Sequence, residues 1–468
     1  MRTERDSMGE MLVPDDALYG ASTQRAVLNF PVSGRPLPEP FIRGLGLVKW
    51  ACARANEDLG LLSPEKSRLI QQVALEIAEG KLTRHFPIDV FQTGSATSAN
   101  MNANEVIANR AQQLAGGPPG AKRLLHPNDD VNLGQSSNDV IPTTLHVSVA
   151  LELQHRLLPA LATLAAELDR KAEAWSEIVK IGRTHLMDAT PLTLGQEFSG
   201  YAAQIRKAAE RGRKAITALG ELAIGGTAVG TGINTHPEFG ARVARLLREK
   251  TGVPFSEAEN HFEAQAARDD CVEVAGQLAA IAAAVTKVAS DIRWLGSGPR
   301  AGLAEIKLPA TQPGSSIMPG KVNPVMSEML VQVCLYVQGL AQTVQLARRD
   351  GHFELNVTLP LMAHCLHEAI HCLGNGTRVF TEKCVAGLVA DAARCRELVD
   401  RSLMLVTALN PHIGYDAAAA IAKEAYATGR TLRELVLEKK LMDAATLDAA
   451  LNPRSMTKPG ATSPGASG

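Results

Sequence analysis

The sequence predicts an all-α protein, with a core bundle of long helices and smaller N- and C-terminal domains. Three observations predict it. Val274, Leu278, Ile281, Val285, Val288, Ile292 and Leu295 recur at alternating steps of four and three residues, a heptad seam sustained over one long helix. The stretches around that seam are rich in alanine, the strongest helix former, so each helix stays apolar over much of its girth. Aromatic residues make up only 4% of the chain, low for sandwiches or barrels built from aromatic and β-branched strands.

The elements follow in order. Ile42, Leu45, Val48, Cys52, Ala55 and Leu59 form one helical stripe that stops at Gly60. Ser63-Pro64 reads as an N-cap followed by a first-position proline, and Leu69, Val73 and Ile77 carry the next stripe to Gly80. Leu157, Leu161, Leu164, Leu168 and Trp175 open the series of long helices. The heptad helix closes at Gly296-Ser297-Gly298-Pro299, and Asn323-Pro324 starts another with Leu330, Val333, Val337, Leu340 and Val344. Past about residue 390 the helices shorten and charges return. The division expected is 1–138 as an N-terminal domain, 139–390 as the central long-helix bundle and 391–451 as a small helical C-terminal domain. The Pro/Gly/Ser-rich stretch 452–468 reads as a disordered tail.

The 468 residues are ample for two or three domains at roughly 150 residues each. Lys plus Arg number 48 against 49 Asp plus Glu, a formal net charge of −1, which excludes a protein that grips nucleic acid by bulk charge. The seven cysteines are scattered and contain no CxxC pair, which argues against a disulfide framework and for a reducing, cytoplasmic location. The opening MRTERDSMGEML lacks the apolar core of a secretory signal, and no stretch reaches the ~18 uncharged apolar residues of a membrane span.

Four polar loops stand between the apolar helices: TGSATSANMNANE at 93–105, HPNDDVNLGQSSND at 126–139, GRTHLMDATPLTLGQE at 182–197 and GSSIMPGKVNP at 314–324. One such loop is ordinary turn and capping chemistry. Four together suit a small polar anion. In the last loop Gly314 and Gly320 let the chain bend over a ligand, Lys321 supplies a fixed charge, and the helix starting at Asn323-Pro324 adds its electropositive end. This fits a carboxylate. It is not a Walker A loop, because five residues separate the glycines and Val322 stands where Ser or Thr is needed. GGTAVGTG at 225–232 likewise fails the GxGxxG pattern. His367-Glu368-Ala369-Ile370-His371 matches HExxH, with Gly374 in the metzincin position, but Thr377 replaces the third histidine. His364, His367 and His371 read instead as a polar face turned to water or to a neighbouring subunit.

These loops resemble the fumarase/aspartase superfamily, and class II fumarase within it. GSSIMPGKVNP matches the superfamily signature without a mismatch, and HPNDDVN, QSSND, GRTHLMDATPLTLGQE, GGTAVGTGINTHP, FELNV at 353–357 and SLMLVTALNPHIGYD at 402–416 also read as fumarase stretches. The resemblance runs from Arg5 to about residue 450. It implies a homotetramer whose active sites gather loops from three subunits, no metal or organic cofactor, and reversible anti addition of water to fumarate, giving L-malate, as in the tricarboxylic acid cycle. Carried over by motif, Ser315 is the carbon base and His185, paired with Glu328, handles the proton of water. A C4 dicarboxylate would be held by Ser95, Ala96, Thr97, Ser136, Ser137, Asn138, Thr184, Ser316, Lys321, Val322 and Asn323. Arg123, His126, Pro127, Asn128 and Asp129 imply a second anion site. Ala96 departs from the usual glycine, Met187 from glutamine, and Thr358-Leu359 from an aromatic-arginine pair. The nearest alternative is aspartate ammonia-lyase, which Pro411 favours. Aspartases, however, carry Gln at the place of His185 and GGAGTS at that of TGSATS. A catalytically inert lens-type scaffold would be marked by loss of Ser315, His185 or Lys321, and all three are present.

Overall fold

The computed structural model describes residues 1–120 and 124–459. Helices dominate, and the sheets among the described residues are five two-stranded pairs. Two compact units are formed from discontinuous segments, a grouping different from three consecutive domains. One contains Met1–Leu161, Lys207–Val285 and Gln332–Thr377. The other contains Ala162–Arg206, Thr286–Val331 and Arg378–Gly468, of which 460–468 lie outside the described residues.

In the first unit the helix Glu39–Asp58 packs on Pro64–Ala78, Ser137–Glu152 and Phe239–Thr251. Its predicted stripe is buried at Ile42, Leu45, Val48, Cys52 and Ala55. Ser63 caps the next helix by accepting from Lys66 N, with Pro64 in the first helical position, as its sequence dictates. A hairpin, Arg2–Asp6 paired with Gly9–Val13, precedes these helices. The buried Glu105 carboxylate accepts from Gly20 N, Ser22 N and Thr23 N and so fixes the start of the helix Ala21–Asn29.

In the second unit the C-terminal helices build their own core from Leu405, Leu409, Ile421, Leu435, Val436 and Leu447, joined by Ile181. Thr431 and Glu434 form a capping box at the helix Leu432–Glu438. The expected tail is ordered at its start: Gln196 Nε2 donates to the Thr457 carbonyl at 2.8 Å, and Arg454 pairs with Glu177 at 2.6 Å. Proline and glycine suggested disorder there, but these two contacts hold the segment.

Every residue of the heptad seam is buried along Asp269–Leu295. That helix and Val325–Asp350 have the length and mean hydropathy, 1.5 and 1.2, of a membrane span, although Lys287, Asp291 and Arg293 interrupt the first with charge. The high hydropathy of the first comes from the Val, Leu and Ile of the seam together with the alanines that flank it.

The HExxH motif lies on the helix Leu359–Lys383, and here the expectation of an outward-facing His367 fails. His367 is 2% exposed, edge-on to Phe41, with Nε2 2.9 Å from Ser148 Oγ. The Ser148 hydroxyl donates to the Leu145 carbonyl, so His367 Nε2 is the donor to it, and burial favours the neutral ring. Among the described residues no group of three or more His, Cys, Asp or Glu is placed to hold a metal ion.

Burial pushes His367 and His146 down to about 3. The unfolded chain takes protons on both near pH 6.5 and the folded chain does not, so their stabilising effect is complete above pH 6.5 and declines as pH falls towards 3. Asp139 and Asp270, raised by burial to about 6, act in the opposite sense below pH 6. The comparison that isolates one histidine is therefore wild type against His367→Gln. Between pH 6 and 4 the variant should lose about 1.4 kcal/mol less stability per pH unit, read from urea midpoints. Equal slopes would show that His367 is protonated in the folded protein.

Candidate active site

In the first unit two helix N-termini meet through their hydroxyls. Ser95 Oγ lies 2.8 Å from Thr97 Oγ1, which lies 2.7 Å from Ser137 Oγ. Thr97 begins the helix Thr97–Leu114 and Ser137 begins Ser137–Glu152, so both electropositive ends face this cluster. The loop before Thr97 is held close to its neighbour: a Cβ on Gly94 would sit 1.8 Å from the Val357 carbonyl oxygen, and Leu359 N donates to the Gly94 carbonyl at 3.0 Å. The departure at Thr358-Leu359 thus stands directly behind the Ser95–Thr97 loop. Thr358 Oγ1 donates to the Ala347 carbonyl and Leu359 is fully buried, both structural tasks.

Ala96 adopts a left-handed conformation, φ 53° and ψ 29°, and is completely buried. An alanine there carries strain of about 1–2 kcal/mol that glycine avoids, offset by glycine's larger loss of backbone entropy of about 0.5–1 kcal/mol. Ala96→Gly should therefore stabilise the protein by roughly 0.5–1 kcal/mol in urea denaturation. A lower midpoint would contradict this account of the position.

Ser136 caps the second helix, accepting from Asn138 N and donating its own N–H to Asp139 Oδ1. Asp139 is fully buried and also accepts from Thr227 N and Gly225 N, while Asn138 Nδ2 donates to the Ala228 carbonyl at 2.7 Å. The GGTAVGTG run is thus the backing of this helix end.

In the second unit His185 sits at the tip of a hairpin, Val179–Thr184 paired with Met187–Thr193. His185 and Leu186 form its two-residue turn with φ 55° and 62°, the doubly left-handed geometry that favours Asn and Gly. Two larger side chains in that turn are strained, a feature concentrated at functional sites. The tip is exposed, with Leu186 and Met187 at 66% and 70%. The root is fixed: Arg183 forks onto the buried Glu305 at 2.8 and 3.3 Å, and the buried Lys180 reaches Glu305 at 3.4 Å and Glu197 at 3.3 Å. Burial raises the Glu197 carboxyl above its ordinary range.

The loop 314–324 is folded around Ser315. Its Oγ accepts from Ile317 N at 3.3 Å and Met318 N at 3.2 Å. A Cβ on Gly314 would lie 1.9 Å from the Lys321 carbonyl oxygen, so the two arms can cross only with glycine there, and the Asn323 side chain donates to the Gly314 carbonyl. Ser316, Lys321 and Val322 are exposed; Thr184 is exposed beside the hairpin turn. Glu328 lies in the first turn of the helix Val325–Ala347. Among the described residues no hydrogen bond or ion pair joins His185 to Glu328 or to Ser315.

Of the second anion site, Arg123 lies outside the described residues. His126 Nδ1 accepts from Asp129 N at 3.1 Å, so it caps the turn Pro127–Val131. Asn128 and Asp129 are exposed and Pro127 is buried.

Sequence reasoning missed the buried Lys49 and the Arg183–Glu305 clamp. A signal existed for the first: Leu45, Lys49, Cys52 and Asn56 fall at helical spacing, and all four are buried, so two polar residues stand within an apolar stripe.

A family model described as "Lyase" matches residues 9–339, and one described as "Fumarase C C-terminus" matches residues 405–458. A fumarate hydratase class II of Chromobacterium violaceum is 51% identical over 456 residues, covering 97% of this chain and 99% of that protein. The fumarate hydratase class II of Mycobacterium tuberculosis is 52% identical over 462 residues, covering 98% and 96%. The crystal structure of recombinant class II fumarase from Schistosoma mansoni superposes with a TM-score of 0.94 at 39% identity, covering 97% of this chain and 99% of that one. With such agreement over nearly its whole length, the chain belongs to the class II fumarate hydratase family of the fumarase/aspartase superfamily.

Proposed function

We propose that the protein catalyses the reversible hydration of fumarate to L-malate, with Ser315 as carbon base and His185 as the acid-base group for water, and with no metal or organic cofactor. The observation that carries this reading is the Ser315 hydroxyl, which already accepts two backbone N–H groups in the loop that bears Lys321. A serine hydroxyl is far too weak a base unless its alkoxide is stabilised, and preorganised N–H donors beside a fixed cation do that. In the dehydration direction the alkoxide takes the proton from the carbon next to one carboxylate of malate. The electron pair moves into that carboxylate as an aci-carboxylate, then forms the C=C bond as the C–O bond breaks. The leaving hydroxide takes a proton from His185 and departs as water. Lys321 and Asn323 at the signature loop, and the Ser95, Thr97, Ser137 and Asn138 cluster at its paired helix ends, supply the donors for two carboxylates.

The site is assembled, in this reading, from several copies in a homotetramer. His185 stands on an exposed hairpin tip and Glu328 lies exposed on the first turn of another helix, positions open to a pairing made across subunits. The long helices also keep apolar residues in water when alone: Trp294 is 49%, Leu335 61% and Leu346 52% exposed. All seven cysteines are free thiols, which fits the cytoplasm.

The test is to follow fumarate absorbance with L-malate and with L-aspartate as separate substrates. Fumarate should form from malate alone. Fumarate from aspartate alone would make the protein an aspartate ammonia-lyase instead.

A further inference from the structure

Lys49 lies on the helix Glu39–Asp58 between Leu45 and Cys52, both fully buried on the same face, and is itself 1% exposed. Removing an ammonium from water is costly unless it is well paired. Among the described residues no carboxylate bonds to it. The acid that faces it from the helix Ser137–Glu152, Asp139, places its oxygens on Ser136 N, Gly225 N and Thr227 N, and Cys52 on its own helix is a neutral thiol pushed up by burial. The partners of Lys49 are neutral amides: Nζ donates to Asn132 Oδ1 at 3.0 Å and to Gln135 Oε1 at 2.9 Å.

Those amides lead to both helix ends of the hydroxyl cluster. Asn132 Oδ1 also accepts from Asn100 Nδ2 at 3.1 Å and Asn104 Nδ2 at 3.4 Å, residues on the helix that begins at Thr97. Asn132 Nδ2 donates to the Gln135 carbonyl, and Gln135 directly precedes the cap Ser136. We infer that Lys49 is a positioning residue of the dicarboxylate site, its buried ammonium setting the Thr97 and Ser137 helix ends against one another while placing a positive charge behind them that no carboxylate bonds directly. The inference rests on the hydratase reading above.

Burial pushes Lys49 down to about 8, so its charge is present at neutral pH and is lost as pH rises above that value. Steady-state kinetics with L-malate from pH 6.5 to 9.5 test the inference on the assembled protein. In wild type, malate affinity should fall above pH 8; in Lys49→Met the KM should rise about tenfold or more, kcat should fall by a smaller factor, and that alkaline loss of affinity should vanish. Lys49→Arg, which keeps the charge, should recover part of the affinity. A purely structural lysine would change the thermal midpoint and leave the alkaline limb in place. Should Lys49→Met not assemble, Asn132→Ala keeps the lysine but cuts its link to both helix ends, and should raise KM to a similar degree.

An unchanged KM and alkaline limb in assembled Lys49→Met, or an unchanged KM in Asn132→Ala where Lys49→Met does not assemble, would overturn the inference while leaving the hydratase reading intact. A wild-type protein that neither binds nor converts a C4 dicarboxylate would overturn both.

Discussion

Ser315→Ala should lower kcat for malate dehydration about 10²-fold or more, a barrier increase of about 2.7 kcal/mol or more, while KM changes far less. The alanine removes the one oxygen on which Ile317 N and Met318 N converge, and with it the hydroxyl that those two N–H groups stabilise as a base for the carbon-bound proton. It leaves the binding frame alone. Gly314 still faces the Lys321 carbonyl and the Asn323 side chain still bonds the Gly314 carbonyl, so Lys321 and Asn323 stay where they were. An interaction made mainly in the transition state is lost without loss of ground-state binding, which separates kcat from KM. Steady-state kinetics with L-malate check this. A variant with near wild-type turnover would refute the assignment of the base.

His185→Asn should also reduce kcat about 10²-fold or more, for a different reason. Asparagine tolerates the left-handed conformation better than histidine does, so a residue at φ 55° in the hairpin turn loses nothing in backbone energy. The hairpin root is untouched, since Arg183–Glu305 and Lys180–Glu197 lie outside the substitution. What disappears is a group that gives up and regains a proton near neutral pH. Isotope exchange at equilibrium distinguishes the two variants. Exchange of the carbon-bound hydrogen with solvent should fail in Ser315→Ala, and exchange of the malate hydroxyl should fail in His185→Asn. Loss of both exchanges to the same degree in both variants would contradict a division of labour.

What could be read from the sequence was local. The helices at Pro64–Ala78 and Val325–Ala347 announce themselves by a cap, a proline and a periodic apolar stripe, all within a few turns. The loop 314–324 was legible as a carboxylate binder because its glycines, lysine and following helix start are contiguous. The hairpin that carries His185 was not, because its two strands show no clean alternation and its register depends on a buried cluster with Glu305, more than a hundred residues away in the chain. The left-handed backbone at Ala96, His185 and Leu186 is imposed by surroundings and carries no signal in residues that ordinarily avoid it. His367 misled for a similar reason. A histidine among polar neighbours on a helix reads as outward-facing until Ser148 and Phe41, both far away in sequence, are seen to enclose it.

The central claim, metal-free anti addition of water to fumarate, is tested most directly by NMR of the malate formed from fumarate in heavy water by chelator-treated protein. The account predicts undiminished turnover and only the diastereomer of monodeuterated L-malate that anti addition gives, with the syn diastereomer absent, because base and acid act on opposite faces of a fixed substrate. Both diastereomers in comparable amounts, or activity lost on chelation and restored by an added metal ion, would contradict it.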